Sequence, residues 1–381
     1  MIPYGRQSIS EEDIAAVTAV LRSDLITQGP ATEAFERVVA EYCGAKHAVA
    51  ACNGTAALHL GCMALGLGPG GLLWTSPNTF VASANCARYV GADVDFVDID
   101  PATYNMSVDA LAAKLEVAER EGRLPDVVVP VDFAGVSCDL EGIRRLADRY
   151  GFKVLEDAAH AIGGRYRDEP VGSCRYSDAT VFSFHPVKII TTGEGGMVLT
   201  NDDAVAERVR LLRTHGITRD ESLMDGASDG LWYYQQVDLG FNYRITDIQA
   251  ALGISQMRRI DEFVARRNEI AAAYRDAFTG LRLGVQVIPE DVLSAYHLFM
   301  IEVEHHDRAE VFYALRELGV GTHVHYIPVH LQPYYRNLGF APGDFPNAEA
   351  YYKRAITLPL YPQMTGEDLG TVVGAVRRML S

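Results

Sequence analysis

The chain has 381 residues, 48% of them apolar and 22% charged, with a formal net charge of −16 and a pI near 5.1. That length exceeds what one hydrophobic core normally serves, so two domains are expected, and the acidic surplus excludes both a basic nucleic-acid footprint and an electrostatic attraction to anionic membranes. No eighteen uncharged apolar residues run together, the N-terminus has no apolar signal-peptide core, and the six cysteines show neither a CxxC pair nor metal-ligand spacing; the expectation is a cytoplasmic protein with free, mostly buried thiols and no metal.

In chain order, Glu11 to Leu21 and Ala31 to Cys43 carry apolar residues at helical spacing. Ala48 to Cys52 is a short apolar strand that breaks at Asn53-Gly54-Thr55 into a helix over Ala56 to Leu65. Leu72 to Ser76 is a second strand, followed by Pro77-Asn78-Thr79 and a helix ending at Tyr89. Asp93 to Val97, Asp126 to Val131, Lys153 to Glu156 and Ala179 to Phe184 continue the strand series. Alternation of this kind predicts an α/β fold with a mostly parallel sheet flanked by helices, and places ligands at the carboxyl ends of the strands. From Asp247 the pattern is helical through Phe278, then strand-like over Tyr296 to Val303, with helices at Arg308 to Leu318 and Pro346 to Arg354. A large α/β domain over 1–246 and a smaller α+β domain over 247–381 are therefore expected, with the polar stretch Thr218 to Gly230 as the best candidate for a mobile loop.

The chemistry concentrates at a few strand ends. There are five lysines, and only Lys188 lies in a glycine-rich loop, between Ser183-Phe184-His185-Pro186-Val187 and Thr191-Thr192-Gly193-Glu194-Gly195-Gly196. An amine there can bond an aldehyde. Val154-Leu155-Glu156-Asp157 is an apolar strand ending in a carboxylate, followed by Ala158-Ala159-His160. An amine for the aldehyde and an anion for the pyridine nitrogen are what pyridoxal phosphate requires. Asn53-Gly54-Thr55-Ala56 offers a hydroxyl and unpaired amides at a helix start, either a phosphate site or a plain N-cap. No GxGxxG follows the first strand, which argues against a dinucleotide-binding protein.

With Lys188, Asp157-Ala158-Ala159-His160, Asn53-Gly54-Thr55 and Gly240-Phe241-Asn242-Tyr243-Arg244, the chain resembles the DegT/DnrJ/EryC1/StrS family of pyridoxal-phosphate sugar aminotransferases nearly end to end. The resemblance implies a fold-type I aminotransferase in which Lys188 holds the cofactor covalently and shuttles the proton, and Asp157 pairs with the pyridine nitrogen. It also implies that Phe80 stacks on the ring, and that Thr55, Ala56 and Ser183 bind the phosphate together with Asn242 of a neighbouring subunit in a homodimer. His160 is either near the phenolic oxygen or a packing residue. His185, Glu194, Tyr326 and His330 are candidate sugar contacts, with a solvated loop charge as the simpler account of Glu194; the odd spacing of His323, His325 and His330 favours sugar contact or packing over a metal. Family members with histidine in place of the lysine catalyse dehydration, so the lysine favours transamination. Within the family the chain looks most like the branch that aminates carbon 4 of UDP-2-acetamido-2,6-dideoxy-4-keto-hexoses with L-glutamate as donor, as in pseudaminic acid biosynthesis, although Ile189 stands where that branch has proline. The alternatives are another nucleotide keto sugar, of bacillosamine, perosamine or 3-keto dTDP type, and a regulatory protein that keeps the fold and cofactor without turnover.

Overall fold

The computed structural model describes residues 1–380. Two helices, α1 (Glu11–Leu21) and α2 (Pro30–Cys43), lead into β1 (His47–Ala51) and α3 (Gly54–Ala64). There follow β2 (Leu72–Thr75), α4 (Ala82–Tyr89), β3 (Asp93–Phe96), α5 (Val108–Glu121), β4 (Val127–Val129), α6 (Leu140–Tyr150), β5 (Lys153–Asp157), β6 (Ala179–Ser183), β7 (Gly196–Thr200) and α7 (Asp203–Arg213). The seven strands form one sheet in the order β1-β7-β6-β5-β4-β2-β3. From β6 to β3 every pairing is parallel, and β7 runs antiparallel between β1 and β6. Nearly every strand residue is buried, as a sheet covered by helices on both faces requires.

Consequently β1, β2, β4, β5 and β6 all end on the same edge, which gathers Asn53, Pro77, Val131, Asp157 and Ser183 there. Two glycines permit the close approach at this edge. A Cβ on Gly54 would fall 2.9 Å from Ser183 Cβ, and a Cβ on Gly196 would lie only 2.7 Å from the Gly54 amide nitrogen, with the Asn53 backbone nearer still.

The chain continues through α8 (Asp247–Met257) and α9 (Ile260–Ala277) to a three-stranded antiparallel sheet of β8 (Leu283–Val285), β9 (Phe299–Val303) and β10 (Ala355–Leu358). Around it lie α10 (Arg308–Glu317), α12 (Pro346–Arg354) and α13 (Gly366–Leu380), while α11 (Pro333–Arg336) packs Tyr335 against Phe96 in the core of the large sheet. Ile270, Tyr274, Phe299, Ile301, Leu315, Ile356 and Val376 build the core here. The helical stretch expected from Asp247 to Phe278 is broken at Arg258-Arg259, where Arg259 leaves helical geometry and its guanidinium pairs with the buried Asp13 at 2.6 Å. Packed on α1 and α2, α8 lies against the large sheet's side of the molecule. The buried Asp247 carboxylate accepts from the Gly29 and Ala31 amides and the Thr32 hydroxyl, pinning the loop before α2. The strand expected from Tyr296 starts only at Phe299, because the fully buried Arg267 guanidinium gathers the carbonyls of Tyr296, His297 and Leu360 and holds that entry as a turn. Of the stretch Thr218 to Gly230, Thr218 pairs with Gln235 in a short two-stranded ladder, Ile217–Thr218 with Gln235–Gln236, and the rest lies in the connection between them. All six cysteines are free, and among the described residues no helix is long and apolar enough to cross a membrane.

Candidate active site

Asp157 closes β5 at the carboxyl edge and is buried. Its Oδ2 accepts from Ser83 Oγ at 2.6 Å and its Oδ1 from the Ala159 amide at 3.2 Å. Burial pushes the carboxyl above its ordinary range, while the Ser83 hydroxyl, the Ala159 amide and the nearby Lys188 charge pull it down. Alternation along the strand turns Glu156 to the other face, where its carboxylate accepts from Thr180 and Ser177 and neighbours the buried Asp132. Desolvation raises both Asp132 and Glu156, and Glu156 raises Asp132 further. Both shifts favour a proton on the pair, since two buried neighbouring carboxyls resist being ionised together.

Lys188 lies in the loop between β6 and β7. Its amide donates to His185 O at 2.9 Å, and the loop is closed by Thr192 N and Thr191 Oγ1, both donating to Phe184 O. Ile189 and Ile190 anchor the segment in the core, leaving Lys188 half-buried. Desolvation lowers its amine to about 8, against the opposing pull of Asp157. The unprotonated amine, the form that can attack an aldehyde, is therefore far more abundant near neutrality than in an ordinary lysine.

His160, buried in the turn after β5, accepts the Ala134 amide on Nδ1 at 3.2 Å. That bond makes Nε2 the protonated nitrogen of the neutral ring and directs it towards the Tyr326 hydroxyl, 3.4 Å away. Burial, Lys188 and His325 hold His160 well below the usual histidine range. His297, which the sequence reading passed over, packs against it with ring centroids 4.3 Å apart. Phe80 remains 57% exposed on the rim, its ring centroid 6.3 Å from Tyr326.

At the start of α3, the Asn53 side chain accepts from Ala56 N at 2.8 Å, so the plain N-cap is present and the Ala56 amide already has a partner. Ser183 lies against Gly54 across the edge. Asn242 is exposed and bridges to Thr214, beyond the side chains assembled around Lys188. His185 and Glu194 are both exposed on the Lys188 loop. Tyr326 stands between Phe80, Phe133 and His160. His330 requires a correction. The sequence reading offered it as a sugar contact, but it is fully buried against Phe96 and Phe345 with Nε2 3.0 Å from Glu349, a core position that leaves it no open face. Ser83 and His297 were missed as well; the one available signal for Ser83 was a hydroxyl in an otherwise small and apolar helix start.

An amine of lowered basicity, a buried carboxylate with one lightly used oxygen, an exposed aromatic face and a helix N-terminus at one edge form a donor set that fits a phosphorylated pyridine aldehyde. Residues 7–377 match the DegT/DnrJ/EryC1/StrS aminotransferase family. The chain belongs to that family. It is 41% identical to the spore coat polysaccharide biosynthesis protein SpsC of Bacillus subtilis, over 99% of this chain and 96% of SpsC. Among solved structures, Helicobacter pylori PseC, an aminotransferase involved in the biosynthesis of pseudoaminic acid, superposes with a TM-score of 0.90 at 29% identity, covering 100% of this chain and 99% of PseC. The PLP form of Spr1654 from Streptococcus pneumoniae superposes with a TM-score of 0.88 at 30% identity, covering all of both chains. The protein is thus a sugar aminotransferase with pyridoxal phosphate as its cofactor and the family's fold.

Proposed function

We propose that the protein transfers the amino group of L-glutamate to carbon 4 of a UDP-2-acetamido-2,6-dideoxy-4-keto-hexose, the amination used in pseudaminic acid biosynthesis. The observation that carries the site assignment is the Lys188 amine, lowered to about 8, in electrostatic reach of the buried Asp157 carboxylate. The likeness to PseC and the residues around Lys188 support the sugar.

When bound, pyridoxal phosphate supplies an aldehyde that takes up an amino group and a ring that accepts the electron pair left by a departing proton. Lys188 Nζ would hold that aldehyde between turnovers. Its free amine would be placed to move the proton between the cofactor carbon and the glutamate α-carbon, and between the cofactor carbon and carbon 4 of the sugar. Asp157 would keep the ring nitrogen protonated, and Phe80 would cover one ring face. The Nε2–H of His160, 3.4 Å from the Tyr326 hydroxyl, would donate to the ring hydroxyl or to Tyr326. Thr55, Ala56 and Ser183 would hold the phosphate, the Ala56 amide by exchanging its Asn53 cap. His185 and Glu194, exposed on the Lys188 loop, would be available to the sugar, and His330 is left out.

We further assign a homodimer in which Asn242 completes the partner's phosphate site. Leu231 at 100% exposure, Trp232 at 73% and Leu239 at 72% support it, since a row of large apolar side chains just before Asn242 needs cover. The division into 1–246 and 247–381 and a cytoplasmic location belong to the same reading.

A second reading, a different nucleotide keto sugar, is favoured by Ile189 and by the higher identity to SpsC, a protein named for spore coat polysaccharide. One experiment separates the two. The holoenzyme is incubated with L-glutamate and a panel of UDP-, dTDP- and GDP-linked keto-deoxy sugars, and the amino product is identified by mass spectrometry and NMR. A 4-amino UDP-N-acetyl sugar is expected; turnover confined to another nucleotide or to carbon 3 would overturn the proposed substrate.

A further inference from the structure

The carboxylate at the end of β5 is held by two hydroxyls in series. Ser83 Oγ lies 2.6 Å from Asp157 Oδ2, and Thr79 Oγ1 lies 2.7 Å from Ser83 Oγ. An ionised carboxylate can only accept, so the Ser83 proton is committed to Asp157, and Thr79 must donate to Ser83. Thr79, Ser83 and Asp157 are 3%, 1% and 5% exposed, so water does not compete for these bonds. The other oxygen, Oδ1, has a single longer bond from the Ala159 amide and keeps a lone pair for one more donor. Thr79 lies in the loop before α4 and Ser83 in the first turn of that helix, with Phe80 between them in the loop. A single segment entering α4 therefore fixes the carboxylate and presents the exposed ring.

We infer that Ser83, backed by Thr79, is a positioning residue for amino transfer: its hydroxyl locks the Asp157 carboxylate in one rotamer and keeps it ionised, so that Oδ1 meets the ring nitrogen of the cofactor. The inference rests on the reading of Asp157 given above. A hydrogen bond to a buried charge favours the ionised form against desolvation, and Ser83 is foremost among the groups that do so for Asp157. Removing it is expected to lift the pH below which Asp157 is neutral. Cofactor binding should then fail at a higher pH.

The test is a titration of pyridoxal phosphate into the apoprotein from acid to neutral pH, followed by intrinsic fluorescence, with the thermal midpoint of each apoprotein measured alongside. Ser83→Ala is expected to weaken binding about tenfold or more, the size of a lost bond to a charged group, and to move the acid limb of binding upward. Ser83→Thr, which keeps the hydroxyl, should bind within about threefold of wild type, a tolerance smaller than the loss of one such bond. Thr79→Val, nearly isosteric, should move the acid limb the same way by a smaller amount, and it decides the matter if Ser83→Ala does not fold. A Ser83→Ala protein with a lowered thermal midpoint but an unmoved acid limb would make Ser83 a packing residue and overturn the inference. Asp157→Asn separates the two layers. If it weakens binding while Ser83→Ala does not, only this inference falls; if it binds like wild type, the reading of Asp157 falls first and takes the inference with it.

Discussion

The lowered basicity of Lys188 makes a prediction that can be followed in the apoprotein. At pH 7 an amine of pKa about 8 is unprotonated in roughly one molecule in eleven, against roughly one in three thousand at the ordinary 10.5, a gain of about 300-fold in the reactive form. The rate at which apoprotein captures pyridoxal phosphate, measured by stopped-flow absorbance between pH 6 and 11, should therefore rise with pH and level off just above 8. Asp157→Asn supplies the perturbation. Asp157 is the group that pulls the Lys188 pKa up against desolvation, so replacing it with a neutral residue of the same shape should move the rising limb to lower pH even as the bound cofactor is weakened. A limb centred near 10 in the wild type would refute the desolvation argument. A limb that moves upward in the variant would refute the pairing with Asp157.

The same burial costs stability. A lysine depressed in the folded chain holds fewer protons there than when unfolded between about pH 8 and 10.5, so wild-type apoprotein should gain stability with rising pH across that window. Lys188→Met should accordingly be more stable by up to about 3 kcal/mol at pH 7, with the advantage gone near pH 10.5 in urea titrations; a constant difference at all pH values would contradict this. Gly196→Ala would bring a Cβ well inside van der Waals contact with the Asn53 and Gly54 backbone, and backbone cannot swing aside. It should cost about 3 kcal/mol or more, the upper end of overpacking, and abolish cofactor retention on a desalting column. Wild-type retention in that variant would show that the turn before α3 is not tightly held. Replacing Trp232 and Leu239 together by serine should halve the sedimenting mass and release the cofactor; an unchanged mass would contradict the proposed interface.

The parallel half of the sheet was legible because each strand is a short apolar run bounded by turn residues, and the series from β1 to β6 falls within a residue or two of its expected place. Lys188 stood out through composition, as the one lysine in a glycine-rich loop, and Asp157 through its place at a strand end. What stayed hidden depends on contacts distant in sequence. The break at Arg259 answers to Asp13, the delayed start of β9 to Arg267, and the burial of His330 to Glu349 and the aromatic residues around it. A histidine read in sequence does not reveal which face of its segment meets solvent. Ser83 was overlooked for the same reason, since its partner is 74 residues away.

The central claim is a covalent bond between Lys188 Nζ and pyridoxal phosphate. Borohydride reduction of the loaded protein, followed by proteolysis and mass spectrometry, tests it directly. One added phosphopyridoxyl group on the peptide carrying Lys188, with Lys46, Lys114, Lys153 and Lys353 unmodified, is the expected result. Label on any of those four instead, or no label on a protein that has retained the cofactor, would contradict it.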